Sequence, residues 1–301
     1  ALARGNPHPR RSRALIAVAL LPLLVGAARD QAAASLQPVL GAPRVVVVEQ
    51  GDTLLDIAER DGLGFRQVVN LNPEVDIWVP PAGTRVELPT EYILPNAPRE
   101  GLLINLPEMR LYDFSVDPAQ PIVLAVAIGD AEDPSPVGEF RVGGKRMNPH
   151  WNVPESIRAE NPALPAVVPP GPENPLGDRW LTIGSSSYGI HGTNNVWSIG
   201  RIATHGCIRL YNDDMRALFD RANLGTRIRM VYQPVKLGQR DGELYLEAHR
   251  DEYDLAPAAP QATLVELIVL DALGVVDGSS IDHDLVRRVI QEARGAPVRI
   301  G

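Results

Sequence analysis

The sequence predicts a mainly β fold: a sandwich- or barrel-like, mostly antiparallel domain over residues 101–233, preceded by a small β-α-α-β domain over residues 44–89. The 28 prolines and 26 glycines among 301 residues are typical of many turns and few long helices. Short β-branched and aliphatic runs of strand length recur through the larger segment. In the smaller segment, two such runs enclose two short helical patterns. A chain of this length suits two modest domains with tails.

Composition and charge narrow the class of function. Apolar residues make up 45% and charged residues 22%, as in an ordinary soluble globular protein. The net charge of −8 argues against nucleic acid as a partner, because phosphate binding requires clustered Lys and Arg. Carbohydrate and peptide polymers stay open as partners.

Residues 1–34 have the pattern of a signal peptide. Several arginines precede an apolar run from Ala14 to Ala28, which is short for a transmembrane helix and typical of a signal h-region. The alternative is an uncleaved membrane anchor. Export predicts a periplasmic or cell-envelope location. It also draws attention to Cys207, because a single cysteine is unusual in an oxidising compartment unless its thiol has a use.

Four consecutive patterns predict the small domain. They follow residues 29–43, whose Ala-, Gln- and Pro-rich composition predicts a flexible lead-in. Asp52 or Thr53 is expected to cap the first helix. The four elements are a strand at Arg44 to Glu49, a helix from Leu54, a helix at Gly64 to Asn70 and a strand at Arg85 to Leu88. A proline-studded linker, Pro89 to Arg99, is predicted to follow.

The larger domain is predicted from a series of short strands. Residues 143–179 interrupt them with a proline-rich segment of little periodicity, and such long irregular segments are usually functional. Asn212-Asp213-Asp214 is expected to cap one short helix. The predicted strands are Leu102 to Leu106, Met109 to Phe114, Ile122 to Ile128, Gly138 to Val142, Trp180 to Ile183, Gly189 to Gly192, Gly206 to Tyr211 and Thr226 to Val231.

Residues 234–301 form a C-terminal extension to which the sequence assigns no chemistry. A strand is predicted at Tyr245 to Ala248 and helices at Leu264 to Leu273 and Ile281 to Ala293. The second helix is expected to begin near Ser280 or Asp282. A packing role is the favoured interpretation.

The chemistry is concentrated between Tyr188 and Tyr211, which hold two histidines and the only cysteine. His205 and Cys207 are two residues apart, so on a strand their side chains share a face. His191 lies earlier, before a glycine- and asparagine-rich connection that can return it to the cysteine. An imidazole beside a thiol is expected to lower the thiol pKa and to accept its proton. Spacing alone leaves open which histidine is the base.

Gly206, directly before the cysteine, allows a close backbone approach, so N–H groups there are expected to form an oxyanion hole. The stretch resembles the L,D-transpeptidase catalytic domain, whose motif runs from His-Gly to Ser/Thr-His-Gly-Cys and Ile/Val-Arg. His191-Gly192 matches the first half, and Thr204-His205-Gly206-Cys207-Ile208-Arg209 matches the second. Upstream matches to periplasmic enterobacterial-type members lie at Pro134 to Phe140, Asn148-Pro149, Trp151, Pro154 and Gly171 to Gly177.

Residues 44–89 resemble a LysM domain, a small module that binds N-acetylglucosamine-containing glycans. The resemblance rests on the Gly-Asp-Thr-Leu turn at Gly51, the Leu-Asn-Pro after the second helix and the ending Pro81 to Pro89. It implies peptidoglycan as a partner. A structural spacer that has lost its glycan site is the alternative, because a fold alone does not show binding.

The transpeptidase resemblance implies a role for each residue of the motif. Cys207 attacks the third residue of a tetrapeptide stem, at the L-centre of diaminopimelate, and expels the terminal D-Ala. His191 takes the thiol proton and later protonates the leaving amine, and the backbone carbonyl of Gly192 orients His191. His205 supports the site by hydrogen bonding. Arg209 holds a substrate carboxylate or the loop, unless it forms only a structural salt bridge.

The same resemblance implies an amine acceptor, either another diaminopimelate or the lysine end of a lipoprotein, and no cofactor or metal. Three alternatives stay open. Water as acceptor gives an L,D-carboxypeptidase. Loss of activity leaves a LysM wall-binding protein. A zinc site formed by His191, His205 and Cys207, with His150 as the only nearby fourth ligand, is the third.

Overall fold

The computed structural model describes residues 27–301. The predicted signal peptide therefore lies largely outside the described residues, which begin with helix α1 (27–33). The other helices are α2 (Leu54–Arg60), α3 (Phe65–Leu71), α4 (Glu155–Glu160), α5 (Asn212–Arg221), α6 (Ala259–Ala272) and α7 (His283–Glu292). The strands to residue 129 are β1 (Gln37–Gly41), β2 (Arg44–Val47), β3 (Arg85–Leu88), β4 (Glu91–Ile93), β5 (Leu102–Asn105), β6 (Arg110–Asp113), β7 (Ile122–Ala125) and β8 (Ile128–Gly129). The later strands are β9 (Gly138–Met147), β10 (Trp151–Asn152), β11 (Val167–Val168), β12 (Arg179–Ile183), β13 (Gly189–His191), β14 (Ile202–Thr204), β15 (Ile208–Arg209), β16 (Arg227–Val231), β17 (Val235–Arg240), β18 (Glu243–Ala248) and β19 (Val298–Arg299). None of the described helices is both long and apolar enough to span a bilayer.

The small domain has the order β2-α2-α3-β3, with β2 and β3 paired antiparallel from Arg44 opposite Leu88. Thr53 caps α2 through a reciprocal capping box with Asp56, so the cap is Thr53 and not Asp52. The two helices and the β-ribbon enclose an apolar core centred on Leu54, Ile57 and Val68. The four-element order is the one expected from the sequence.

An eight-stranded sheet forms the larger domain, in the order β15-β13-β12-β9-β16-β5-β6-β7. Most neighbours are antiparallel; β16 with β5 and β13 with β15 are the parallel pairs. A bridge between Ala127 and Arg209 connects the chain just after β7 with β15 at the opposite end of the order. The sheet therefore curls toward a barrel, around a core that includes Leu111, Leu181 and Ile228.

Residues 143–179 are more ordered than their sequence predicts. β9 continues to Met147, and β10, α4 and β11 follow before β12 begins at Arg179. Within this segment, β10 and β11, which have two residues each, pair antiparallel. Residues 148–178, which connect β9 to β12, are named here the covering segment.

A third unit combines both ends of the described chain. Its sheet has the order β19-β18-β17-β1-β4, and α6 and α7 pack on it. The flexible lead-in expected at 29–43 is wrong, because β1 pairs parallel with β17 and antiparallel with β4. The linker expected at 89–99 likewise contains β4. The predicted strand and both helices after residue 234 are confirmed, and Asp282 caps α7.

Candidate active site

His191 lies at the end of β13, in the interior of the curled sheet. β12 runs antiparallel beside it and places Trp180 directly opposite. The two rings stack with centroids 5.5 Å apart and planes 15° from parallel. Only 3% of His191 is exposed. Trp180 thus fixes one face of the imidazole, a contact that the motif did not predict.

Cys207 lies close to His191 because it directly precedes β15, the second strand that pairs with β13. β13 and β15 are parallel, with Ile190 opposite Ile208 and His191 opposite Arg209. Both isoleucines are fully buried in the core, so the residues that flank them point to the other face. Cys207 directly precedes Ile208 and lines one cavity together with His191 and Arg209.

The turn before the nucleophile separates the two residues of the Thr-His-Gly-Cys motif that were expected to share a strand face. β14 ends at Thr204, whose Oγ1 donates to the Cys207 carbonyl oxygen over 2.6 Å. Gly206 has φ +91°, and a Cβ there would lie 2.5 Å from the Tyr188 ring. His205 therefore turns outward, and its Nε2 lies 3.2 Å from Glu160 Oε2 on α4. His205 and Cys207 do not lie on one strand, because β14 ends at Thr204 and the chain turns at Gly206, but both residues line the same cavity.

The tautomer of His191 follows from its backbone neighbour. Its Nδ1 lies 2.6 Å from the carbonyl oxygen of Gly192. A carbonyl oxygen can only accept, so Nδ1 carries the proton and donates, and the lone pair of Nε2 is free to accept a proton.

Burial sets the protonation of both groups. It lowers the pKa of His191 to about 3, and the Arg209 charge adds to this effect. Burial raises the pKa of the Cys207 thiol, against a hydrogen bond with the Gly189 backbone and the Arg209 charge. The resting pair is a neutral thiol and a neutral imidazole. The net shift of the thiol pKa is therefore upward, and the lowering by the imidazole that the sequence predicts stays a prediction.

The cavity has a volume of about 460 Å³ and lies beneath the covering segment. Trp151, Pro154 and Ile157 from that segment form part of its wall. The cavity carries two arginines, Arg146 and Arg209, and three histidines, including His150, also line it. Within residues 27–301, no Asp or Glu lines the cavity, and the buried Nε of Arg209 has no hydrogen-bond partner. The cavity favours an anionic ligand.

Sequence similarity to known proteins assigns the chain to a family. Residues 99–232 match the YkuD family model, the L,D-transpeptidase catalytic domain. The chain is 34% identical over 271 residues to the probable L,D-transpeptidase YbiS of Escherichia coli K12, covering 87% of this chain and 88% of the relative. The chain belongs to the L,D-transpeptidase family. The matched residues include the whole wall of the cavity.

A second relative agrees with this assignment. The probable L,D-transpeptidase ErfK/SrfK of Salmonella typhimurium LT2 is 34% identical over 276 residues, covering 87% of each chain. An L,D-transpeptidase structure from Mycobacterium tuberculosis H37Rv is 16% identical, covers 65% of this chain and 93% of that one, and has a TM-score of 0.34.

The transpeptidase does not bring together the zinc ligands considered from the sequence. His191 Nδ1 is bonded to Gly192 and His205 Nε2 faces Glu160. Among the described residues, the one cluster with metal-like spacing is Glu108, Glu247 and His249, which lies away from the cavity.

Two cations already occupy that acidic cluster. Lys236 Nζ lies 2.9 Å from Glu108 and 3.2 Å from Glu247, and Arg110 contacts both carboxylates at 3.3 and 3.2 Å. The carboxylates are therefore neutralised by side chains, and the cluster serves as an internal ion network between the barrel and the third unit.

The prediction that Asn212 caps helix α5 is wrong. The cap position of α5 belongs to Tyr211, and the Asn212 side chain bonds the backbone of Thr193 instead. The helix-capping pattern of residues 212–214 accounts for an asparagine at this position, so the sequence carries no separate signal for its contact with Thr193.

Proposed function

We propose that this transpeptidase uses Cys207 to cleave a peptidoglycan tetrapeptide stem before its terminal D-Ala and transfers the acyl group to an amine. One observation carries the proposal. His191 ends β13, Cys207 directly precedes the neighbouring strand β15, and both line one cavity, while the bond from His191 Nδ1 to Gly192 leaves Nε2 as a proton acceptor. A nucleophile, a base and a group that orients the base are the parts that acyl transfer requires.

The neutral resting pair defines the first step. As the Cys207 sulfur attacks the carbonyl carbon of diaminopimelate, the thiol proton moves to Nε2 of His191. The resulting imidazolium donates that proton to the nitrogen of the departing D-Ala, which leaves a thioester on Cys207. An amine then attacks the thioester carbonyl carbon and loses a proton to His191. As the new amide forms and the C–S bond breaks, His191 returns that proton to the sulfur of Cys207, which regenerates the thiol. N–H groups of the turn at Gly206 are assigned to the oxyanion.

The shape and charge of the cavity support a stem peptide as substrate. A volume of about 460 Å³ accommodates a short peptide segment, not a folded polymer. Stem peptides carry carboxylates, and Arg209 offers a buried N–H that no group of the described residues accepts. We assign Arg209 to a substrate carboxylate. The acceptor, diaminopimelate or a lipoprotein lysine, is assigned to the side of the cavity formed by the covering segment.

For the small domain we propose glycan binding of the LysM kind, in the periplasm or cell envelope, after export through residues 1–34. Trp78 supports this assignment. It is 55% exposed and stacks on Phe65 with centroids 6.2 Å apart, so a rigid aromatic face is presented to solvent. Aromatic faces of this kind offer an apolar body beside polar groups, which suits sugar rings. Weaker pelleting of Trp78→Ala with insoluble peptidoglycan, at unchanged turnover of soluble muropeptides, is the expected result.

The proposed reaction is tested by mass. Wild-type protein is incubated with purified disaccharide-tetrapeptides, and products are identified by mass spectrometry beside Cys207→Ala and Cys207→Ser. Loss of D-Ala together with dimer formation is expected from wild type alone. Loss of D-Ala without dimers would identify a carboxypeptidase, and products from Cys207→Ala would exclude the thiol mechanism.

A second measurement follows the thiol directly. A carbapenem is expected to add one equivalent of mass at Cys207, because its strained carbonyl is open to the same attack. An unmodified wild-type protein that still processes muropeptides would contradict an accessible, acylable Cys207.

A further inference from the structure

The backbone around His191 is fixed by the sheet only as far as Gly192. Leu210 N–H donates to the His191 carbonyl oxygen over 2.9 Å, and Gly192 N–H donates to the Arg179 carbonyl oxygen over 3.4 Å. β13 ends at His191, so the next amide, that of Thr193, is outside the ladder. Thr193 is nonetheless only 1% exposed, and a buried amide requires a partner.

Asn212 supplies that partner. The Thr193 N–H donates to Asn212 Oδ1 over 2.9 Å, and Asn212 Nδ2 donates to the Thr193 carbonyl oxygen over 2.7 Å. A Cβ on Gly192 would lie 2.2 Å from the same Oδ1, so the amide is seated directly against the chain. Asn212 is the first residue of α5, whose Met215 and Leu218 are anchored in the barrel core.

The geometry of one peptide unit connects this clamp to His191. The N–H of Thr193 and the C=O of Gly192 belong to the same planar trans peptide, so they point in opposite directions and turn together. Asn212 holds the N–H end, and His191 Nδ1 is bonded to the C=O end at 2.6 Å. Rotation of this peptide would break both hydrogen bonds at once.

We propose that Asn212 is a positioning residue of the transpeptidase: by clamping the Gly192–Thr193 peptide it fixes the tautomer and direction of the His191 ring. Asn212 touches neither the cavity nor Cys207, so it acts only through this peptide. Trp180 fixes the face of the ring and Asn212 fixes its rotation in plane, so the two contacts together leave one orientation for Nε2. The inference rests on the proposed role of His191 as the base.

Three substitutions separate positioning from folding. Asn212→Ala and Asn212→Ser remove the acceptor of the Thr193 N–H, since neither side chain has an oxygen at that distance. Asn212→Asp keeps an acceptor for the Thr193 N–H but replaces the NH₂ donor with an oxygen, which loses the bond to the Thr193 carbonyl and faces that carbonyl oxygen unfavourably. Asp213→Ala, at the next position of α5, is the matched control because Asp213 is exposed and pairs only with Arg216.

The first readout is acylation of Cys207 by a carbapenem, resolved into a rate constant and an affinity. In Asn212→Ala or Asn212→Ser, the rate constant is expected to fall about 10- to 100-fold, as for a misplaced catalytic group, with affinity unchanged. Asn212→Asp is expected to recover most of the rate, and Asp213→Ala to match wild type. The second readout is the ¹⁵N chemical shifts of His191, which report the tautomer. The Nδ1–H form is expected to dominate in wild type and Asn212→Asp, and to be mixed in the other two variants.

The outcomes distinguish the inference from the proposed function. A wild type that is not acylated contradicts the function itself. An acylated wild type with unaffected Asn212 variants, or with slowed variants that keep the Nδ1–H tautomer, overturns the positioning role. If Asn212→Ala does not fold, Asn212→Ser gives the same comparison, and thermal midpoints near wild type establish that each variant is folded.

Discussion

The backbone N–H of Phe65 donates to the carbonyl oxygen of Ile199 over 3.1 Å, which joins the small domain to the connection between His191 and Cys207. Arg66 N–H donates to Gly200 in the same way, and the Arg201 guanidinium lies 3.9 Å from the centre of the Phe65 ring. The Tyr211 hydroxyl donates to Leu63 over 2.9 Å. The small domain is therefore docked on the catalytic loop, whereas the sequence suggested a module on a linker.

Gly200→Ala tests whether this docking supports the site. A Cβ at Gly200 would lie 2.4 Å from the Cα of Gly64, and neither backbone can give way without separating the two domains. Gly225→Ala is the control, because Gly225 has a similar φ of +83° but open space around it. Both variants carry left-handed strain of about 1–2 kcal/mol.

Only Gly200→Ala is expected to slow carbapenem acylation, by about tenfold or more, since it also displaces the loop that leads to Cys207. Limited proteolysis should show earlier cleavage between residues 44 and 100 in that variant alone. Equal acylation rates in the two variants would mean that docking does not influence the site.

The two histidines of the motif are expected to differ strongly in activity. His191→Ala removes the proton acceptor and should lower turnover about 100- to 10,000-fold. His205→Ala should have a far smaller effect, because its ring faces Glu160 outside the pair. Glu160→Gln is the matched variant, and it should reproduce the effect of His205→Ala if the contact only holds α4 in place. A larger loss for His205→Ala than for His191→Ala would exchange their roles.

The pH dependence of Cys207 alkylation tests the neutral resting pair. Burial raises the pKa of the folded thiol, so less thiolate is present at neutral pH than in an unfolded chain. Alkylation by iodoacetamide should therefore inflect at higher pH in the folded protein than in the same protein in urea, where an inflection near about 8.5 is expected. Because the chain has one cysteine, the two states are directly comparable. An inflection below the unfolded value would show a preformed thiolate.

The sequence predicts the parts of the structure whose signals lie within short stretches of the chain. Patterns of neighbouring residues predict the helix that begins at Thr53 and Leu54 and the short strands. Cys207 and His191 are predicted because they lie within one motif. Pairing over long separations leaves no such signal. β1 joins β17 with Gln37 opposite Gly238, and the composition around Pro38 resembles that of a linker. The same limit hid the docking of Phe65 and the clamp from Asn212, because each depends on which distant segments meet.

A buried ion network between the barrel and the third unit is expected to stabilise the fold. Lys236 is only 4% exposed and contacts Glu108 and Glu247, both buried. Lys236→Met keeps much of the side-chain volume but leaves Arg110 as the one Lys or Arg that contacts both carboxylates, beside the hydrogen bond from His249 to Glu247, so the cluster loses one of its positive charges. Removing one partner of a buried ion pair costs about 3–5 kcal/mol in the free energy of unfolding.

Arg287→Met is the control for that measurement, since Arg287 and Asp284 form an exposed pair on α7 that should contribute about 0–1 kcal/mol. Urea denaturation at neutral pH measures both variants. The carboxylate pKa gives the pH dependence: the surrounding cations, Lys236 first, hold the pKa of Glu247 at about 2, below its ordinary value, although burial opposes them. The stabilisation is therefore complete above the unfolded pKa of Glu247 and is lost as pH falls toward 2. The difference in the free energy of unfolding between wild type and Lys236→Met should accordingly shrink between about pH 4 and pH 2. A small difference at pH 7 would instead show that the network contributes little to the contact between the barrel and the third unit.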